Sequence, residues 1–145
     1  MKVVIQRVKK AAVSINDKIY SQINAGFLIL IGISKNDTEK QAEWLAQKIA
    51  NLRIMADKQD KMNLSIHEAK AEILVVSQFT LLADYLRGNR PSFIKAADPQ
   101  KAINLYNWFI EKLKSYKISV KTGSFGAKME VSLINDGPVT IVMDN

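Results

Sequence analysis

Residues 27–34 read Phe-Leu-Ile-Leu-Ile-Gly-Ile-Ser, a nearly continuous apolar run of strand length. Such a run offers no polar face to water, so it predicts a strand buried on both sides. Glu72–Gln78 (EILVVSQ) reads as a second short buried strand. The N-terminal segments Lys2–Val8, Ala11–Asn16 and Ile19–Asn24 are rich in Val and Ile, and polar Asn16-Asp17-Lys18 makes a tight turn between the last two. Ile118–Lys121, Met129–Ile134 and Val139–Met143 are further strand candidates.

Two helices interrupt the strands. Thr38 and Gln41 have capping-box spacing, and Ala42, Leu45, Ile49 and Leu52 then form one apolar stripe. In the second helix Asp98 caps the start, Pro99 fits the first turn, and Ala102, Leu105, Phe109 and Leu113 share a face. Polar, glycine-bearing sequence from Asp84 to Pro91 reads as a loop. No repeat, low-complexity tract or linker divides the 145 residues, so one domain over 1–145 is expected. Many strands with two helices in separate blocks give an α+β class: a curved mixed β-sheet or barrel-like domain with the two helices packed outside.

Composition narrows the chemistry by elimination. There is no cysteine, which removes disulfides, thiolate nucleophiles and cysteine-bound zinc. His67 is the only histidine, so a histidine-rich metal site is impossible, and its LSIHEAK surroundings suit a surface residue. Gly-x-Ser-x-Gly, a Walker-type loop and Gly-x-Gly-x-x-Gly are all missing. No metal and no cofactor are expected. The start of the chain lacks the apolar core of a signal peptide, and the run from Phe27 to Ile33 is too short to span a bilayer, so a cytoplasmic protein with no membrane partner is expected. The net charge of +7 favours polyanionic partners, although a solvated lysine surface explains it equally well.

Three segments stand out against this background. In Ser77-Gln78-Phe79-Thr80-Leu81 a buried strand runs into polar residues, where backbone N–H groups leave the ladder and can point at a ligand. By spacing alone the ordinary reading is a turn whose hydroxyls bond the backbone. Asn135-Asp136-Gly137-Pro138-Val139-Thr140 reads locally as a turn between two strands, with Gly137-Pro138 able to take a cis bond. Thr122-Gly123-Ser124-Phe125-Gly126-Ala127 sets two glycines around an aromatic, suited either to close backbone approach or to a plain loop.

Taken together, SQFTL at 77–81 and NDGPVT at 135–140 resemble the signature motifs of the D-aminoacyl-tRNA deacylases. The resemblance extends along the chain through VIQRV at 4–8, KMNLS at 61–65, GNRPSF at 88–93, AADP at 96–99 and TGSFGA at 122–127. It implies a homodimeric hydrolase that cleaves the ester at the 3′ end of D-aminoacyl-tRNA, and of glycyl-tRNA mischarged on tRNA-Ala. It also implies that Gly137 and Pro138 enter the partner's active site as chiral selector, held by Arg7, beside a catalytic rim of Ser77, Gln78, Phe79 and Thr80. The chain departs from the family pattern at Asp84-Tyr85-Leu86-Arg87, where Leu86 stands in place of an expected lysine.

Such chemistry needs no triad. The neighbouring 2′-hydroxyl of the ribose assists the ester's cleavage, and backbone N–H groups of Phe79 and Thr80 are suited to hold the oxyanion. A Thr80 nucleophile is the alternative, weakened by the lack of a nearby base. Two rival functions share the residues: a noncatalytic RNA-binding module using Arg87, Arg90 and Lys95 near Phe93, and a hydrolase for another activated ester.

Overall fold

A computed structural model of the chain describes residues 1–86 and 88–145. Its elements run β1 (Lys2–Ile15), β2 (Lys18–Ile23), β3 (Gly26–Gly32), α1 (Glu39–Ala50), β4 (Met55–Ala56), β5 (Met62–Leu64) and β6 (Glu72–Ser77). A short 3-10 turn (Phe79–Leu82) follows, then α2 (Pro99–Ser115), β7 (Ser119–Thr122) and β8 (Glu130–Asp144). The main sheet has six strands in the order β2-β1-β3-β6-β7, with β8 on the other edge of β1. β3, β6 and β7 are parallel to one another, and the β1 pairings are antiparallel, so the sheet is mixed as expected.

The apolar runs of β3 and β6 are explained by two cores. Phe27, Ile29, Ile31, Ile73 and Val75 pack beneath the helices with Leu45, Ile49, Phe109 and Leu113. Leu28, Leu74 and Val76 face the opposite way, into a second core with Val8, Ala11, Val13 and Ile23. Alternate residues therefore serve alternate cores, and no position is left for a polar side chain. The sheet curls so that β2 reaches β7: the Ser21 hydroxyl donates to the Thr122 carbonyl at 2.7 Å, and Lys121 Nζ donates to the Gln22 carbonyl at 2.7 Å. Glu72 closes the same seam, accepting from the Asn24 N–H at 2.9 Å with Lys121 at 3.4 Å.

Both helices begin where their capping residues place them. Gln41 Oε1 accepts from the Thr38 N–H at 3.0 Å, and Asp98 Oδ1 accepts from the Lys101 N–H at 3.0 Å. Each such cap satisfies donors that the first helical turn leaves open.

Three readings of the strands need correction. Lys2–Val8 and Ala11–Asn16 are one strand, β1, interrupted only by a bulge at Lys9, because Val8 faces Asn135 and Lys10 faces Ile134. Likewise the Met129–Ile134 candidate, from Glu130 on, and Val139–Met143 are both parts of β8. The NDGPVT segment is no turn between strands: pairing with β1 resumes beyond it, with Gln6 opposite Thr140 and Val8 opposite Asn135. Residues 136–139 of β8 thus oppose Arg7 alone, as a wide bulge. The 3-10 turn falls where SQFTL reads as a turn, whereas the small β4–β5 hairpin has no counterpart in the sequence pattern.

Candidate active site

The parallel strands β3 and β6 end together, Ile31 beside Ser77. The chain then folds over the end of β3: the Gln78 N–H donates to the Ile31 carbonyl at 2.7 Å, and the 3-10 turn follows. Gly32 permits this approach, since a Cβ there would stand 3.0 Å from the Gln78 carbonyl oxygen and 3.1 Å from Leu81 Cβ. The first turn of such a helix cannot satisfy its own leading donors. Leu81 N–H reaches the Gln78 carbonyl at 3.3 Å, but among the described residues the N–H groups of Phe79 and Thr80 have no acceptor.

Beside this turn lies a largely apolar cleft of about 430 Å³. Ser77 and Phe79 line it from the strand end, Phe93, Ala96 and Ala97 from the segment before α2, and Phe125 and Gly126 from the loop after β7. Phe79 and Phe93 meet edge to face, ring centres 5.1 Å apart, and Phe79 remains 58% exposed at the mouth. The floor is fixed from behind by the Val75 carbonyl, which accepts from the Gly123 N–H at 2.9 Å and from the buried Tyr106 hydroxyl at 2.9 Å. Burial holds the Tyr106 hydroxyl well above its ordinary pKa, so it acts as a fixed donor.

Four of the singled-out segments, SQFTL, GNRPSF, AADP and TGSFGA, therefore meet around one cleft although up to fifty residues separate them in sequence. Gln78 and Thr80 do not line it. Their side chains pair with each other instead, Gln78 Nε2 donating to the Thr80 hydroxyl oxygen. No carboxylate or imidazole hydrogen-bonds Thr80 among the described residues, and His67 is exposed on a distant turn.

The second signature segment stands elsewhere. Arg7 is buried, donates through Nη1 to the Ile54 carbonyl at 2.8 Å, and directs Nε at both the carbonyl and the carboxylate of Asp136, each at 3.1 Å. This anchors the foot of the bulge, while Gly137 and Pro138 project exposed at its tip. The Gly137–Pro138 peptide bond is cis. Gly137 has φ +132°, and a Cβ there would lie 2.8 Å from the Val139 nitrogen, so only glycine fits.

Within one chain the bulge and the cleft are well separated. Arg7 lies level with Phe27, four residues along β3 from the Ile31–Ser77 pair, or about 13 Å. Between β8 and β6 stand β1 and β3, a further ~14 Å measured across the sheet. The loop that departs from the family pattern is pinned at its base, Asp84 and Ser92 exchanging two backbone hydrogen bonds of 2.8 Å. Asp84 also holds Lys95 at 3.1 Å. Its carboxyl sits below the usual range, first through the Leu86 N–H and then through Lys95. Tyr85 and Leu86 are exposed, and Arg87 lies outside the described residues. No helix among the described residues is long and apolar enough to cross a membrane.

Comparison with known proteins gives the family and the fold. Residues 4–144 match the family described as D-Tyr-tRNA(Tyr) deacylase. The chain is 53% identical to a D-aminoacyl-tRNA deacylase of Thermosipho melanesiensis, covering all of this chain and 97% of that one. It is 56% identical to another from Dictyoglomus turgidum, covering 99% and 92%. Among solved structures, the c-Myc DNA Unwinding Element Binding Protein superimposes with a TM-score of 0.93 at 42% identity, covering 100% of this chain and 99% of that one. A probable eukaryotic D-amino acid tRNA deacylase, 17% identical, has a TM-score of 0.85 over 99% and 98% and shares the fold.

Proposed function

Because the chain belongs to the D-Tyr-tRNA(Tyr) deacylase family, we propose that its cleft at the end of β6 is where the ester of D-aminoacyl-tRNA is hydrolysed to free D-amino acid and tRNA. The enzyme is a carboxylic ester hydrolase of translation quality control. The observation that supports the placement is that the N–H groups of Phe79, which lines the cleft, and of Thr80 beside it have no acceptor among the described residues.

As water attacks the ester carbonyl, its oxygen gains negative charge, and those two donors are placed to receive it. One pre-aimed donor of this kind contributes on the order of 10²–10³ in rate. The substrate's own 2′-hydroxyl assists proton transfer, so no side-chain base is required. The Thr80 hydroxyl, already held by the Gln78 amide and without a base, is a rim group here and not a nucleophile. The apolar walls lower the local dielectric around the reacting atoms while leaving the one attacking water, which strengthens the hydrogen bonds to the oxyanion.

Selectivity is assigned to Gly137 and Pro138 of a second copy. Their distance from Ser77 within one chain leaves them no part in that chain's own cleft, and a two-fold dimer lets each subunit complete the other's. Their backbone fixes the substrate's α-amino group and their bulk collides with an L side chain. Any D side chain is tolerated, and so is glycine, which has nothing to collide. Full activity in a strictly monomeric protein, judged by sedimentation, would overturn this arrangement. A cytoplasmic location accords with a tRNA substrate.

The test is release of D- and L-tyrosine from matched aminoacyl-tRNAs, with Pro138→Ala alongside. The expected result is fast D-release, negligible L-release and a smaller contrast in the variant. Equal rates for both enantiomers in the unsubstituted protein would refute the selector. A second reading, nucleic-acid binding without catalysis, is favoured by the name of the 42%-identical solved relative and by the +7 charge. Retention of charged tRNA with its ester intact would establish it.

A further inference from the structure

A second cleft, polar and about 530 Å³ in volume, lies against the active-site cleft and takes no part in the mechanism above. The two share their dividing wall. The 3-10 turn offers Phe79 to the active-site cleft and Leu81, Leu82 and the following Ala83 to the polar one. The segment before α2 offers Phe93 and Ala96 to the former and Lys95 to the latter. The ridge between them is locked by the Ser34–Ala96 bridge and by the Ala97 N–H donating to the Ile33 carbonyl at 2.9 Å. Lys95 and Ala96 are adjacent residues, so one stretch of backbone serves both clefts.

The charges of the polar cleft are unevenly satisfied. Asp37 is occupied by the Met1 amino group at 2.8 Å and by the Ser34 N–H at 2.6 Å. Asp144 is paired with Lys2 at 3.1 Å, and Lys95 is held by Asp84 at 3.1 Å. Lys35 has no acidic partner among the described residues, and its side chain is exposed. Its backbone is nonetheless firmly placed, the N–H donating to the Lys95 carbonyl at 3.1 Å and the carbonyl accepting from Lys101 Nζ at 2.6 Å. The carboxylate side chains of Asp37 and Asp144 are therefore already paired, and Lys35, its backbone held, is the lining lysine with no acidic side chain against it among the described residues.

We infer that this cleft seats the penultimate nucleotide of the tRNA 3′ end, with the phosphate that links it to the esterified nucleoside against Lys35. The inference rests on the deacylase reading and adds a subsite to it. On this reading the 5′-phosphate of a ribose ester held in the apolar cleft crosses the shared ridge, where Lys95 is already held by Asp84 and Lys35 is the lining lysine left without an acidic partner among the described residues. Asn36 and Gln41, also on that wall, give the cleft amide groups that an apolar metabolite would not use and a nucleobase edge can. Occupancy here couples affinity to the RNA while the neighbouring cleft handles only the ester and its nucleoside.

The experiment compares two substrates, D-tyrosyl-tRNA and the D-tyrosyl ester of adenosine, with the full chain and with Lys35→Ala, Lys35→Glu and, as a control on the distant β4–β5 turn, Lys58→Ala. For Lys35→Ala we expect kcat/KM on the tRNA to fall about five- to tenfold through KM, and its ratio to that on the adenosine ester to fall with it. The slope of log kcat/KM against log salt should become shallower by about 0.7, the value for one phosphate on a single strand. Lys35→Glu should lose more, and Lys58→Ala should match the unsubstituted protein. Equal losses on both substrates, or none on the tRNA, overturn the subsite and leave the deacylase reading standing. If the unsubstituted protein released D-tyrosine from neither substrate, the deacylase reading itself would fall and the subsite with it.

Discussion

Replacing Arg7 by methionine isolates what the bulge costs to hold. Methionine keeps the apolar stem against Phe27 and the strand neighbours but removes every donor. The Ile54 carbonyl loses its 2.8 Å partner in a buried place, and Asp136 loses a contact shared between its carbonyl and its carboxylate, each at 3.1 Å. Hydrogen bonds to a charged group contribute about 1.5–3 kcal/mol each. The Asp136 side chain is 37% exposed, so water screens and replaces part of its share. A loss of about 3 kcal/mol follows, most of it from the orphaned Ile54 carbonyl. For 145 residues the unfolding entropy is roughly 0.3 kcal/mol per kelvin, so the melting temperature should drop by about 10 °C. Differential scanning calorimetry measures this directly, and Asp136→Asn with the double variant isolates the pair's coupling. The same proteins are then assayed for D- and L-tyrosine release. A drop below about 3 °C would refute the energetic argument. A full drop with the D/L contrast intact would refute Arg7 as the group that positions Gly137 and Pro138.

Two further predictions follow from the site and the seam. Thr80→Ala should keep turnover within a few-fold of the unsubstituted protein, because the proposed mechanism uses its N–H and not its hydroxyl; collapse of single-turnover rates would restore the nucleophile. Glu72 is held below the usual carboxylate range, first by the Asn24 N–H and then by Lys121. A depressed carboxyl contributes stability that is complete above its unfolded pKa, near 4.3, and is lost as pH falls through the lower folded value. The melting-temperature gap between the unsubstituted protein and Glu72→Gln should therefore be widest above pH 5 and narrow in stronger acid, and a gap independent of pH would refute the seam's role.

The helices and the inner strands were legible because each carries a local cause. Asp98 with Pro99, and Thr38 with Gln41, name the helix starts, and the FLILIGIS run can only be a strand covered twice. The bulges were not legible, for a bulge is one count of residues set against another and leaves no mark in composition. Val8-Lys9-Lys10-Ala11 reads as a break, when only Lys9 steps out of line. Asn-Asp-Gly-Pro has turn chemistry, and nothing local distinguishes a turn that ends a strand from one the strand survives. The β4–β5 hairpin is too short to show a period. At the site, SQFTL and NDGPVT were found through the family resemblance, since their spacing supports nothing more than turns. What only the fold could show is that four scattered loops share a cleft and that the Gly-Pro tip is not among them.

The paired irregularities on β1 and β8 obey a rule of parity. Met129, just before β8, and Val131 and Leu133 on it pack into the second core, whereas Val139, Ile141 and Met143 pack beneath the helices. All six are odd-numbered, so the strand changes face across the Gly-Pro bulge, which inserts three residues. On β1, Val3 and Ile5 serve the helix-side core and Ala11 and Val13 the second one, and there the single residue Lys9 makes the change. Because a strand's side chains alternate, any odd insertion reverses its faces and any even one preserves them. The projecting segment can therefore lengthen or shorten only by two residues at a time. A change of one would turn Val131 and Leu133 out to water and present Ser132 and Ile134 to the core. The exposed Gly-Pro tip is thus counted from the inside, by the hydrophobic interior on either side of it.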